Sequence, residues 1–209
     1  MWPKMAQQIQ DSCKTCPTCQ KWKRQRKKYG HLPPKEADPW TQVHVDMMGP
    51  LTVTDVNLKK RSFLAFTAID PSTGWFECVP VPNKQSFTVM DAFHNAWLCR
   101  YPRPLMIRFD NSTEFESVFE EMCESYGLDK KPTMIYNPRS NGIIKRIHQV
   151  LQDNLATFEL NKHKLPEESP FDSFVAAASW AIRSSFHSTL QATPGQLVFG
   201  RDMLLGLPF

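Results

Sequence analysis

Two aspartates each follow an apolar run, Asp46 in "VHVDMMGP" and Asp110 in "LMIRFDNSTEF". A lone aspartate at a strand end is ordinarily a turn or capping residue. Two of them on neighbouring strand ends would repel each other and need a compensating cation, and Mg²⁺ or Mn²⁺ suits oxygen ligands. A pair of such ions, ~3.5–4 Å apart, activates a water or a 3′-hydroxyl in phosphodiester chemistry. A third carboxylate on a nearby helix would complete the cage. The next amphipathic segment, "NGIIKRIHQVL", supplies Lys145 instead. If Ile144, Ile147 and Leu151 form its buried stripe, Lys145 shares its side with Asn141, His148, Gln149 and Gln152, none of them acidic. Asp153 lies about 12 Å further along the axis and about 80° around it, out of reach of the same ion. Glu114, in the loop after Asp110, is the other acid nearby. An ammonium beside Asp46 and Asp110 would pair with them and oppose a divalent cation.

The amino-terminal "SCKTCPTCQKWK" holds two overlapping C-x2-C units, Cys13/Cys16 and Cys16/Cys19. A zinc site needs four ligands, and residues 1–12 contain no histidine. His31 with the three cysteines is an alternative set of unfamiliar spacing. The expectation is an unmetallated helix. Cys78, Cys99 and Cys123 sit in apolar contexts without a His or Asp constellation and read as core thiols. His44 and His148 read as structural.

These residues need a scaffold, and 209 residues suffice for one domain with a core and a small appendage. A composition 41% hydrophobic and 11% aromatic excludes a disordered chain. No apolar run approaches the ~20 residues of a membrane span, and the N-terminus has no secretion signal. Six scattered cysteines do not make a disulfide framework, which points to a reducing compartment. The net charge of +4 hides an asymmetry, because residues 1–31 carry eight Lys/Arg against Asp11 alone. A basic arm of this kind suits a polyanionic partner or a solvated tail.

"GHLPPKEADPW" is a Pro-rich linker, which divides the chain into a basic segment (1–31), a linker (32–40), a core (41–162) and a C-terminal helix and tail (163–209). "TQVHVDMM", "SFLAFTAID" and "WFECVPV" read as strands, the last two joined by the turn "DPSTG". Ser86 is placed to cap a helix that runs to about Arg100. "LMIRF" is a short buried strand. Phe115, Phe119, Met122, Cys123 and Tyr126 fall at helical spacing, with a stop at Gly127. "PTMIY" is a fifth strand. A long helix follows from Asn141 to Leu160, and a last one runs from Ser169-Pro170 to about Ser188. The order predicts an α/β domain: an antiparallel meander extended by parallel strands with crossover helices.

"DPWTQVHVDMMGPL", "AIDPSTGWFECVPV", "WLCRYPRPLMIRFDNSTEF" and "NPRSNGIIKRIHQVLQDNL" resemble successive blocks of integrases from gypsy-type LTR retrotransposons. Those integrases are relatives of the retroviral enzymes. "TLQATPGQLVFGRDMLL" resembles the segment that follows their core. The resemblance implies a ribonuclease-H-like mixed five-stranded sheet flanked by helices, preceded by a short helical remnant of a zinc domain. It also implies DNA integration through an Asp-Asp-Glu triad holding Mg²⁺ or Mn²⁺. Asp46 and Asp110 match the first two positions. Lys145, 35 positions after Asp110, stands where "NGxxER" carries its glutamate. That replacement implies weakened metal binding and impaired catalysis. Cys16 and Cys19 match the "CxxCQ" of the zinc domain, without its upstream histidines. DNA contacts are expected from Lys21, Lys23, Arg24, Arg26, Lys27 and Lys28, and from Asn111, Asn141 and Arg146. The resemblance further implies a dimer or higher oligomer, no membrane association and a nuclear location, otherwise a cytoplasmic one. The alternative reading is a non-catalytic DNA-binding or self-associating remnant retained by a host.

Overall fold

The computed structural model describes residues 4–16, 38–54, 60–132, 142–160 and 170–204. Its strands are β1 (Gln42–Thr54), β2 (Lys60–Ile69), β3 (Phe76–Val81), β4 (Met106–Phe109) and β5 (Asp129–Pro132). They form one sheet in the order β3-β2-β1-β4-β5. The first three run antiparallel to their neighbours, while β4 runs parallel to β1 and β5 parallel to β4. This is the mixed sheet expected from the sequence. The helices are α1 (Met5–Thr15), α2 (Ser86–Phe93), α3 (Val118–Ser125), α4 (Gly142–Leu160), α5 (Pro170–Ser184) and α6 (Pro194–Phe199).

The two-residue period of the strands decides what each face of the sheet sees. Val43, Val45 and Met47 join Phe66 and Ala68 in a core with Val89 and Phe93 of α2 and Phe119 of α3. Met48, Ala65 and Ile69 point the other way, into a second core with Ile144, Leu151 and Leu155 of α4 and Val175 and Ala178 of α5. His44, Asp46 and Thr67 have the parity of this second face, so the sequence alternation itself delivers them toward α4.

The turn "DPSTG" forms as its residues require. Asp70 accepts from the Ser72 N–H at 3.0 Å and from the Thr73 hydroxyl at 2.7 Å, and Gly74 takes a positive φ of 73°. Gly127, at φ 67°, ends the α3 region as anticipated. Arg183 of α5 locks that helix to β3. Its Nη2 meets Glu77 Oε2 at 2.5 Å, its Nε donates to the Phe76 carbonyl at 2.7 Å, and the Tyr101 hydroxyl donates to the other Glu77 oxygen.

Several boundaries differ from the expectation. Gln85, in extended conformation, is the N-cap of α2. Ser86 instead opens the helix and ties it to α3, its hydroxyl donating to the Glu116 carbonyl and accepting from the Phe119 N–H. Beyond Phe93 the helix widens into a π-helical turn, His94–Leu98. The fifth strand begins earlier than "PTMIY", because the Gly127 turn buries Leu128 and presents the Asp129 N–H to the Leu105 carbonyl at 2.8 Å. Lys130 and Lys131 suit an edge strand that pairs by backbone alone; residues 133–141 lie outside the described residues. Helix α5 stops at Ser184, where Ser184 and Ser185 hydroxyls bond back to the Trp180 and Ala181 carbonyls at 2.8 and 2.5 Å. Helix α6 was not anticipated, although Thr193 and Gln196 form a capping box around Pro194 at the first turn.

Candidate functional site

The parallel register of β1 and β4 pairs His44 with Arg108. Two positions further along each chain stand Asp46 and Asp110, so the sheet itself sets the two carboxylates side by side. Asp46 also pairs with Thr67 of β2. Each aspartate accepts a 2.8 Å bond from the next backbone N–H, Asp46 from Met47 and Asp110 from Asn111.

His148 of α4 joins the cluster. It lies on the face of α4 that carries Ile144 and Leu151, both buried. Its Nε2 is 2.8 Å from the Thr67 hydroxyl, which donates its single proton to the Asp46 carbonyl at 2.8 Å. Thr67 can therefore only accept from His148. That assigns the imidazole proton to Nε2 and leaves a lone pair on Nδ1, 3.8 Å from Asp46 Oδ2.

The electrostatics follow from burial. Asp46 is pushed up to about 6, first by desolvation; the Met47 N–H and the Lys145 ammonium oppose this, while Asp110 and Glu114 add to it. Desolvation and then Lys145 push His148 down to about 4. The imidazole is therefore neutral near pH 7, and its contact with Asp46 is not an ion pair. Lys145, exposed in the first turn of α4, acts on both groups. Two carboxylates and an ammonium do not fit a divalent cation in the way three carboxylates do. Among the described residues no cluster of three His, Cys, Asp or Glu side chains is arranged to hold a metal.

The other candidates are dispersed. Glu114 lies in the short 3₁₀ turn Thr113–Phe115, with Lys84 Nζ 3.9 Å from its carboxylate. Asn111 is exposed beside Asp110, and Arg146 is exposed next to Lys145, its charge felt by His187. Asp153 is held by Gln149 at 2.9 Å. Cys16 follows α1; Cys19, His31, Asn141 and the basic residues Lys21, Lys23, Arg24, Arg26, Lys27 and Lys28 lie outside the described residues. Cys78 and Cys123 are buried as anticipated, but Cys99 is exposed, its Sγ 3.5 Å from His94 Nδ1. The π-helical turn brings the two together, which the apolar reading of Cys99 missed.

No family model matches the chain. It is 25% identical over 206 residues to an uncharacterised protein of Caenorhabditis elegans, covering 97% of this chain and 15% of that one. It is 21% identical over 161 residues to the retrovirus-related Pol polyprotein from transposon 412 of Drosophila melanogaster, covering 77% and 12%. The chain thus spans a small part of the curated relatives it matches. Among solved structures, the HTLV-2 integrase catalytic core domain in complex with magnesium superposes with a TM-score of 0.58 at 20% identity, covering 76% of this chain and 95% of that one. The simian T-cell lymphotropic virus intasome gives a TM-score of 0.67 at 20% identity, covering 98% and 70%. The chain is related in sequence to Pol polyproteins of retroelements, and its fold is the ribonuclease-H-like fold of retroviral integrase cores. The gypsy-type assignment is compatible with these relatives.

Proposed function

We propose that this chain is the core of a retroelement-derived integrase that engages DNA but is impaired in DNA integration. The observation that carries this reading is Lys145, whose ammonium acts on Asp46 from the helix turn where the resembled family carries its third acid. Asp46 and Asp110 remain as the two acids of the site. The fold around them is intact, with both faces of the sheet covered by packed cores.

In this proposal the basic segment within residues 1–31 precedes the core and contacts DNA phosphates. Asn111, Asn141 and Arg146 add further contacts to DNA. The chain self-associates and acts in the nucleus. Among the described residues no helix is long and apolar enough to cross a membrane. A non-catalytic DNA-binding protein retained by a host is the second reading, favoured by a core that still packs while the site has lost an acid.

The test is a strand-transfer assay with a DNA end and target DNA in Mg²⁺ or Mn²⁺, run on this chain and on Lys145→Glu. No product from the unmodified chain and product from the variant are expected. Robust transfer by the unmodified chain would sink the proposal of impairment.

A further inference from the structure

Lys145 stands one helical turn before His148 on α4. At this spacing the two side chains leave neighbouring points of one helix face, about 4.5 Å apart along its axis. His148 is fixed against the sheet, with Nε2 2.8 Å from the Thr67 hydroxyl and Nδ1 3.8 Å from Asp46 Oδ2. The anchor of the one places the other beside Asp46, and the Lys145 charge acts on both groups. The register of β1 and β4 adds Asp110 alongside. Yet Lys145 is exposed, and among the described residues it enters no salt bridge. Other cations of the core are already matched: Lys84 lies 3.9 Å from Glu114, Lys130 2.7 Å from Glu124 and Arg183 2.5 Å from Glu77. The Lys145 ammonium is thus near enough to offset the aspartates and still open to a second anion.

Bare carboxylates repel the phosphates of DNA, and a third acid at position 145 would add to the repulsion. Sites built from three carboxylates meet a phosphate through a bound cation. Here a cation is already part of the chain. We propose that Lys145 performs that electrostatic task, so that a DNA phosphate docks beside Asp46 and Asp110 without a divalent ion. The proposal rests on the reading of the chain as a DNA-engaging integrase core and adds that this engagement is independent of metal. An ammonium can donate up to three hydrogen bonds to phosphate oxygens. It has no open coordination position at which to activate a water or a 3′-hydroxyl. Docking is therefore kept where the chemistry is lost.

The experiment compares the full chain with Lys145→Glu and Lys145→Arg, exchanges at an exposed position that leave the core untouched. Binding to a blunt-ended, fluorescein-labelled duplex is read by anisotropy at one ionic strength, in EDTA and in Mg²⁺. Mg²⁺ competes with cationic side chains for phosphates, so the parent is expected to bind as well in EDTA as in Mg²⁺, or better. Lys145→Glu is expected to bind about tenfold more weakly than the parent in EDTA and to recover in Mg²⁺. Lys145→Arg should follow the parent. Acetylation of the parent in EDTA, mapped by mass spectrometry, gives a local readout: duplex DNA should slow modification of Lys145 severalfold. Mg²⁺ that tightens binding alike in the parent and Lys145→Glu would overturn the proposal and leave DNA engagement standing. So would acetylation of Lys145 that DNA does not slow. A parent chain that binds no DNA in either buffer would overturn both the proposal and the reading it rests on.

Discussion

The bare Nδ1 of His148 faces Asp46 Oδ2 at 3.8 Å. Two acceptors oppose each other, a situation that a proton on Asp46 relieves and that matches the upward shift of its carboxyl. The bond network behind them, Thr67 to the Asp46 carbonyl and His148 to Thr67, fixes the geometry.

Thr67→Val removes the hydroxyl that serves both. It leaves the His148 Nε2–H and the Asp46 carbonyl without their partner. The variant is expected to lose about 1–3 kcal/mol of stability, read from the midpoint of urea unfolding. Thr67→Ser should retain most of it.

Burial pushes both His44 and His148 down to about 4. The unfolded chain takes up these protons near pH 6.5 and the folded chain only near 4, so stability falls as pH drops across that window. Asp46 has the opposite sign: its raised value gives stability that is full below its unfolded value near 3.8 and is lost as pH rises through about 6. His44, 4% exposed, is the cleaner probe. Replacing it with asparagine should flatten the loss between pH 6.5 and 4.5 by roughly 2–3 kcal/mol, measured by denaturant unfolding at both pH values.

Glu77 is 5% exposed and meets Arg183 at 2.5 Å. Removing one partner strands the other charge in the interior. Arg183→Met is expected to cost about 3–5 kcal/mol, and Glu77→Gln in the same chain should recover much of it. A double-mutant cycle on thermal or urea unfolding measures the coupling.

Helix α6 rests on its capping box, in which the Gln196 N–H donates to the Thr193 hydroxyl at 3.0 Å and the Gln196 side chain accepts from the Thr193 N–H at 2.9 Å. Thr193→Ala should destabilise the chain by about 1 kcal/mol, again by unfolding midpoint.

The proposed DNA contact through Lys21, Lys23, Arg24, Arg26, Lys27 and Lys28 predicts a steep salt dependence. If most of these neutralise phosphates of duplex DNA, the slope of log K against log salt is about −3 to −5. Replacing all six with glutamine should flatten it. A salt-insensitive affinity in the parent chain would argue against the contact.

The sheet was legible because alternation at Val43 and Val45 and short apolar runs report strands directly. Asp46 and Asp110 were legible because each follows such a run, but only Asp110 stands at a strand end. Strand β1, expected to close near Asp46, continues through it to Thr54, because Met47, Met48 and Leu51 still have buried faces to fill. His148 was not, since its partner Thr67 lies 81 positions away and only the folded sheet brings them together. Cys99 and His94 were hidden for a local reason: a π-helical turn pairs positions five apart, a spacing that a 3.6-residue pattern does not register. The early start of the edge strand β5 was not legible, because Asp129, Lys130 and Lys131 carry no apolar pattern. The capping residues of α6, Thr193 and Gln196, are readable in the sequence, but the helix they open is too short to carry an apolar stripe.

Lys145 points to solvent from a helix whose other face is sealed by Ile144, Leu151 and Leu155. An exchange at that position costs the interior nothing. The charge presented to Asp46 at this position is therefore set independently of the packing that seats α4 on the sheet.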